Sequence, residues 1–150
     1  MRDFTRQQWL QLRPETYLAD GWLDAQGRLI PDFTGDYATA AATQLMAAEC
    51  SPQELALTYE GIRQLLPVHE GPPRDRLFAA FEETLLVVAR AIRQPNNGGL
   101  VDWISDCAAI VETQAELEGF MRHIQAVMRL YAIMVAAMPD DSSSASRPVS

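Results

Sequence analysis

The sequence predicts a mainly α-helical bundle of four or five principal helices, with a short N-terminal helix and a candidate β-hairpin docked on it. Three observations predict it. From Asp36 onward, apolar residues recur at spacings of three and four, the period of one helix face. Prolines and glycines are concentrated in a few breaks that divide this pattern into helix-sized pieces. No run of strand-like residues alternates with the helical segments, so nothing indicates a parallel sheet. With 150 residues, of which 48% are hydrophobic, the chain can enclose a core without metals or disulfides as staples. The expected division is one helical domain over 1–139, with its N-terminal helix and hairpin extension at 1–35, and a disordered Ser-rich tail at 140–150.

The elements follow in order. Thr5 and Gln8 have the spacing of a capping box, and Trp9, Leu10 and Leu12 follow, which predicts a helix over Arg6 to Leu12 ended by Pro14. In Gly21 to Ile30, apolar pairs flank an Asp-x-x-Gly turn, the one hairpin candidate. Such a ribbon is marginal by itself, so Trp22, Ile30 and Phe33 are expected to lean on the helices. Asp36 is a candidate N-cap for a helix to Glu49. Ser51-Pro52-Gln53-Glu54 combines a cap, a proline at the first helical position and a reciprocal glutamate, and Leu55, Tyr59, Ile62 and Leu66 give the inner face behind it.

After the linker His69 to Pro73, a helix is expected over Arg74 to Arg93 with Phe78, Phe81, Leu85, Val88 and Ile92 as its stripe. Pro95 to Gly99 breaks the chain again, and Leu100, Ile104, Cys107 and Val111 line the next helix. Thr113-Gln114-Ala115-Glu116 is another capping-box match, where the last helix either restarts or continues through a kink. That helix carries Leu117, Met121, Ile124, Met128, Tyr131, Val135 and Met138 at alternating spacings of four and three, a heptad seam. Phe120, Val127 and Met134 form a second line that widens the face beyond what one neighbouring helix covers.

Composition narrows the partners. A net charge of −8 repels phosphate backbones and anionic headgroups, so neither nucleic acid nor a membrane surface is expected as a partner. No stretch approaches the ~20 apolar residues of a membrane span, and the N-terminus lacks a charged-then-apolar leader pattern, so a cytoplasmic protein is expected. Cys50 and Cys107 lie far apart without metal-ligand spacing and read as buried small hydrophobes. All the basic residues are arginines, which reads as compositional bias of the source.

No catalytic residue and no cofactor site is indicated. Phosphate-loop, nucleophile-elbow and zinc-helix motifs are missing. His69 reads as a solvated turn residue, and His123, one position before Ile124, as a partly exposed flank of the seam. Asp102 with Asp106, and Glu112 with Glu116, are spaced to share helix faces, and solvated surface or capping explains them. Glu118 and Arg122 have the spacing of a weakly stabilising pair.

The stretch Leu130 to Met138 is apolar all round, and a helix of that kind is either wholly buried or shared with another chain. The sequence therefore points first to a non-catalytic accessory or assembly protein. It would bind a protein partner, or a second copy of itself, through Met121, Met128, Tyr131, Met134, Val135 and Met138. Two alternatives remain. One is a small helical enzyme or metal-binding protein using Asp102, Asp106, Glu112, Glu116 and His123; the other is an acidic neutraliser of a basic protein.

Overall fold

The computed structural model describes residues 17–19, 21–91 and 98–137. The expected helix over Arg6 to Leu12, Ile92, Met138 and the Ser-rich tail fall outside these residues. The chain is mainly helical, and its helices are α1 (Asp36–Ala47), α2 (Pro52–Leu65), α3 (Pro73–Ala91), α4 (Gly98–Ala109) and α5 (Gln114–Ala137). Short 3-10 turns at Pro31–Thr34 and Leu66–Val68 lead into α1 and out of α2. The most extensive contacts join α2 to α3 and α1 to α5, with α2 also on α5.

Local chemistry explains most boundaries. The Ser51 hydroxyl accepts from the Glu54 amide at 3.0 Å with Pro52 in the first turn, as the sequence predicts for the start of α2. Between α4 and α5 the chain breaks fully. The Thr113 hydroxyl accepts from the Glu116 amide at 3.2 Å, while the Glu116 carboxylate accepts from the amides of Thr113 and Glu112, both at 2.9 Å. The capping box thus separates the two helices, and Glu116 is spent on it. Thr113→Ala should lower stability by about 1 kcal/mol in urea unfolding, the usual effect of removing an N-cap oxygen. An unchanged midpoint would mean that packing alone positions the start of α5.

Three expectations are corrected. The hairpin reduces to a single antiparallel bridge between Leu23 and Leu29, because the Asp24 carboxylate draws the amides of Gln26 and Arg28 into a tight turn and Pro31 opens a 3-10 turn directly afterwards. Gly27 takes the positive φ of +79° that this turn requires. Gly35, rather than Asp36, is the N-cap of α1, because the 3-10 turn that buries Phe33 carries the chain straight into the helix. On α3 the buried stripe is Leu77, Ala80, Phe81, Thr84 and Val88, with Phe78 and Leu85 only half-buried. The rotation follows from α2, where Gly61 faces Thr84 and lets the two helices approach closely.

The core is aromatic at one end. Trp22 and Phe33, both fully buried, lie 4.4 Å apart between ring centroids, and Trp22 meets Phe120 of α5 edge-on at 6.0 Å. This N-terminal segment covers the part of α5 that no single neighbouring helix covers. The widened apolar face that the sequence shows is therefore shared among α1, α2 and the segment carrying Tyr17, Trp22 and Phe33.

Candidate functional site

The last helix separates into two regions with different surroundings. From Leu117 to Tyr131 one face is core: Leu117, Phe120, His123, Ile124, Val127 and Tyr131 are buried, and Met121 and Met128 lie half-buried at the edge. The seam of fours and threes is thus displaced toward the line of Phe120 and Val127. Tyr131 ends the buried region, its hydroxyl donating to the Cys50 carbonyl at the start of α2. Burial, with the nearby Cys50 and Glu54, pushes the Tyr131 phenol up to about 12, so it stays a donor.

Beyond Tyr131 the helix leaves the core. Ala132, Ala136 and Ala137 are exposed, Ile133 is 58% and Val135 37% exposed, and Met134 is half-buried. No charged side chain occurs from Leu130 to Ala137. Leu86 and Val87 of α3 are likewise 62% and 50% exposed. The short connection between α2 and α3 makes them antiparallel, so α3 ends beside the start of α2, where Cys50 meets Tyr131. Gly61 faces Thr84 and the Gln125 amide reaches the Tyr59 hydroxyl, so Leu86 and Val87 stand level with the middle of α5, and the strip at its end is Ala132, Ile133, Val135, Ala136 and Ala137 with Met134 at the edge. Of the interaction residues that the sequence nominates, Val135 and Met134 belong to this strip, while Met121, Met128 and Tyr131 belong to the core or its edge.

His123 is the largest departure from expectation. It is fully buried, with Phe33, Trp22, Trp103 and Tyr17 packed around the ring. Its Nδ1 lies 2.6 Å from the Phe33 carbonyl, which can only accept, so Nδ1 carries the proton and donates. Nε2 then accepts from the Tyr17 hydroxyl at 2.5 Å, and the Tyr17 oxygen in turn accepts from the Trp103 indole at 2.8 Å. The result is a one-way chain of donors from Trp103 through Tyr17 and His123 to Phe33. Burial holds the imidazole neutral, with its pKa lowered to about 4 against a smaller opposing effect of the Phe33 carbonyl. With Tyr17 only 4% exposed and both His123 and Trp103 sealed, the chain has no face open to a substrate. It fastens the segment from Tyr17 to Phe33 onto α4 and α5.

The carboxylates do not converge. Asp102 and Asp106 are half-buried on α4, Glu112 and Glu116 belong to the cap of α5, and His123 is enclosed by aromatic rings. Among the described residues, no group of three or more His, Cys, Asp or Glu side chains is placed to hold a metal ion. His69, expected in solvent, is half-buried with Nε2 2.9 Å from the Glu83 carboxylate. Cys50 and Cys107 are buried thiols outside any disulfide, and burial beside Glu54 pushes the Cys50 thiol up to about 12, out of the reactive range.

Comparison with known protein families, with curated proteins and with solved structures found no match. The functional reading therefore rests on these residues. Period alone could have placed His123: it stands three residues after Phe120 and four before Val127, inside the second apolar line rather than on its flank. Its partners Tyr17 and Trp103 come from distant parts of the chain, and no local signal announces them.

Proposed function

We propose that this protein is a non-catalytic interaction protein, an accessory or assembly subunit that associates through the C-terminal end of α5. The observation that carries this reading is the exposure of Ile133 and Val135 on an uncharged stretch of helix that runs on past the core. The occupant of the strip that fits best is the same strip of a second copy. A surface with no charge from Leu130 to Ala137 offers nothing to select a charged partner, whereas a two-fold contact requires only that an apolar strip match itself. Two buried thiols that form no disulfide suit a reducing compartment such as the cytoplasm, and the net charge of −8 argues against nucleic acid. Among the described residues, no helix is long and apolar enough to cross a membrane.

Light scattering tests the reading. The wild-type chain should have twice the monomer mass at micromolar concentration. Ile133→Asp combined with Val135→Asp should weaken that dimer on the order of 100-fold, because the carboxylates would lose water without gaining a partner. Circular dichroism of the variant should stay helical, since both positions are outside the core. A wild-type monomer would sink the proposal, as would a dimer indifferent to both substitutions.

A further inference from the structure

A groove of about 390 Å³ runs between α2 and α5, closed at one end by the start of α3, and it gathers positive charge on an acidic protein. Leu117 and Met121 form its floor with Tyr59, and Arg63, Arg76 and Arg122 line it. The one carboxylate in the lining is Glu118, which accepts from the Gln114 amide at 3.4 Å. Three guanidiniums against Glu118 and against Glu60, which pairs with Arg63, leave a net +1 inside a chain of net −8.

The three arginines are differently occupied. Arg63 is held by Glu60, one residue outside the lining, and is largely neutralised. Arg76 is half-buried; its terminal nitrogens make long bonds to Gln114 at 3.2 Å and to the Leu66 carbonyl at 3.4 Å, and its buried Nε has no acceptor among the described residues. Arg122 is exposed, and the pair with Glu118 that their spacing predicts does not form, so among the described residues its guanidinium has no carboxylate partner. The Arg76 Nε is closed to solvent and out of a ligand's reach, so this guanidinium meets the groove through its terminal nitrogens, whose two bonds are long and open to exchange, while Arg122 offers its whole guanidinium. The two together, above an apolar floor, are the complement of an anion with a hydrophobic body.

We propose that this groove binds a small organic acid. Its carboxylate lies between Arg122 and Arg76, and a ring or branched chain covers Leu117, Met121 and Tyr59. The volume falls in the roughly 300–1,000 Å³ range of small-molecule sites. The floor favours an organic acid over a bare inorganic anion, which would satisfy the guanidiniums and leave the apolar surface wet.

Met121 supplies the reporter. In protein carrying ¹³C-methyl methionine, titration with phenylacetate should move the Met121 methyl resonance saturably while those of Met46 and Met134 stay in place. Phenylacetamide, the same shape without the charge, should bind roughly tenfold more weakly or worse, and so should phenylacetate to the Arg122→Gln variant. Inorganic phosphate should also bind more weakly than phenylacetate. Arg122 is exposed, so the variant should keep its fold, with unchanged circular dichroism as the check. The proposal fails if Met121 does not respond up to ~10 mM phenylacetate, a generous limit for a ligand of this size. It also fails if the amide binds as well as the acid, or if Arg122→Gln changes nothing. A response to a Glu-rich peptide alone would overturn it in favour of a protein-docking surface.

Discussion

Acidification should destabilise this fold well before most of its carboxylates take up protons. His123 has a pKa near 4 in the folded protein, lowered by burial from an ordinary 6.5. Above pH 6.5 the imidazole is neutral in both states, and its contribution to stability is fully present. As the pH falls, the unfolded chain binds a proton that the folded chain refuses, so stability is lost progressively until pH 4, where the folded protein is protonated as well. The slope between these values approaches about 1.4 kcal/mol per pH unit, and the full loss is about 3 kcal/mol. That is a large part of a typical domain's total of roughly 5–15 kcal/mol.

Protonation also reverses one link of the donor chain, that between Tyr17 and His123. A charged imidazole donates from both nitrogens, so Nε2 can no longer accept from Tyr17, and Tyr17 would have to turn its hydroxyl away from a ring 2.5 Å off. Urea unfolding at half-unit steps from pH 7 to 5 measures the effect. A His69→Gln background leaves His123 the single titrating imidazole, since the chain has two histidines. The ring resonances of His123 should show the neutral Nδ1–H tautomer throughout this range. A flat stability profile between pH 6.5 and 5, or a His123 titration near 6.5, would mean that water reaches the ring.

Helices were legible in the sequence because their signals are local. The Ser51 and Thr113 capping signals and Pro52 act within one turn, and α2 and α5 begin where these residues place them, while α3 and α4 begin slightly earlier than expected, taking in Pro73 and Gly98-Gly99 from the expected breaks. Faces were legible only in part. On both α3 and α5 the buried stripe is rotated from the one that spacing suggests, because the choice between neighbouring stripes is made by whatever packs opposite: Gly61 against Thr84 in one case, and Trp22 and Phe33 against Phe120 in the other. The chain of Trp103, Tyr17 and His123 was not legible, because it joins residues 86 and 106 positions apart through side-chain atoms alone. The exposed end of α5 was visible as an apolar stretch, but whether it is buried or shared depends on where α1 and α2 stop.

Adding one methyl group where α2 crosses α3 should cost about as much as that acidification. At most exposed helix positions Gly→Ala is stabilising by up to about 1 kcal/mol, since alanine restricts the unfolded chain and favours the helix. Gly61 is the opposite case. A Cβ there would stand 2.5 Å from Thr84 Cγ2, 2.7 Å from its Oγ1 and 3.1 Å from its Cβ. Thr84 cannot turn aside freely, because it is fully buried and its hydroxyl donates to the Ala80 carbonyl at 2.7 Å. Relief therefore requires moving two helices apart along their most extensive contact, and such overpacking typically costs 1–3 kcal/mol. Gly61→Ala should fall at the upper end of that range and outweigh the propensity gain. The pairing with Thr84 is tested by a second substitution: Thr84→Ala removes Cγ2 and Oγ1, so in that background Gly61→Ala should lose most of its penalty. A penalty that persists in the double variant would place the clash on the α3 backbone rather than on the threonine. A stabilising Gly61→Ala would mean that the two helices stand farther apart than their side chains indicate.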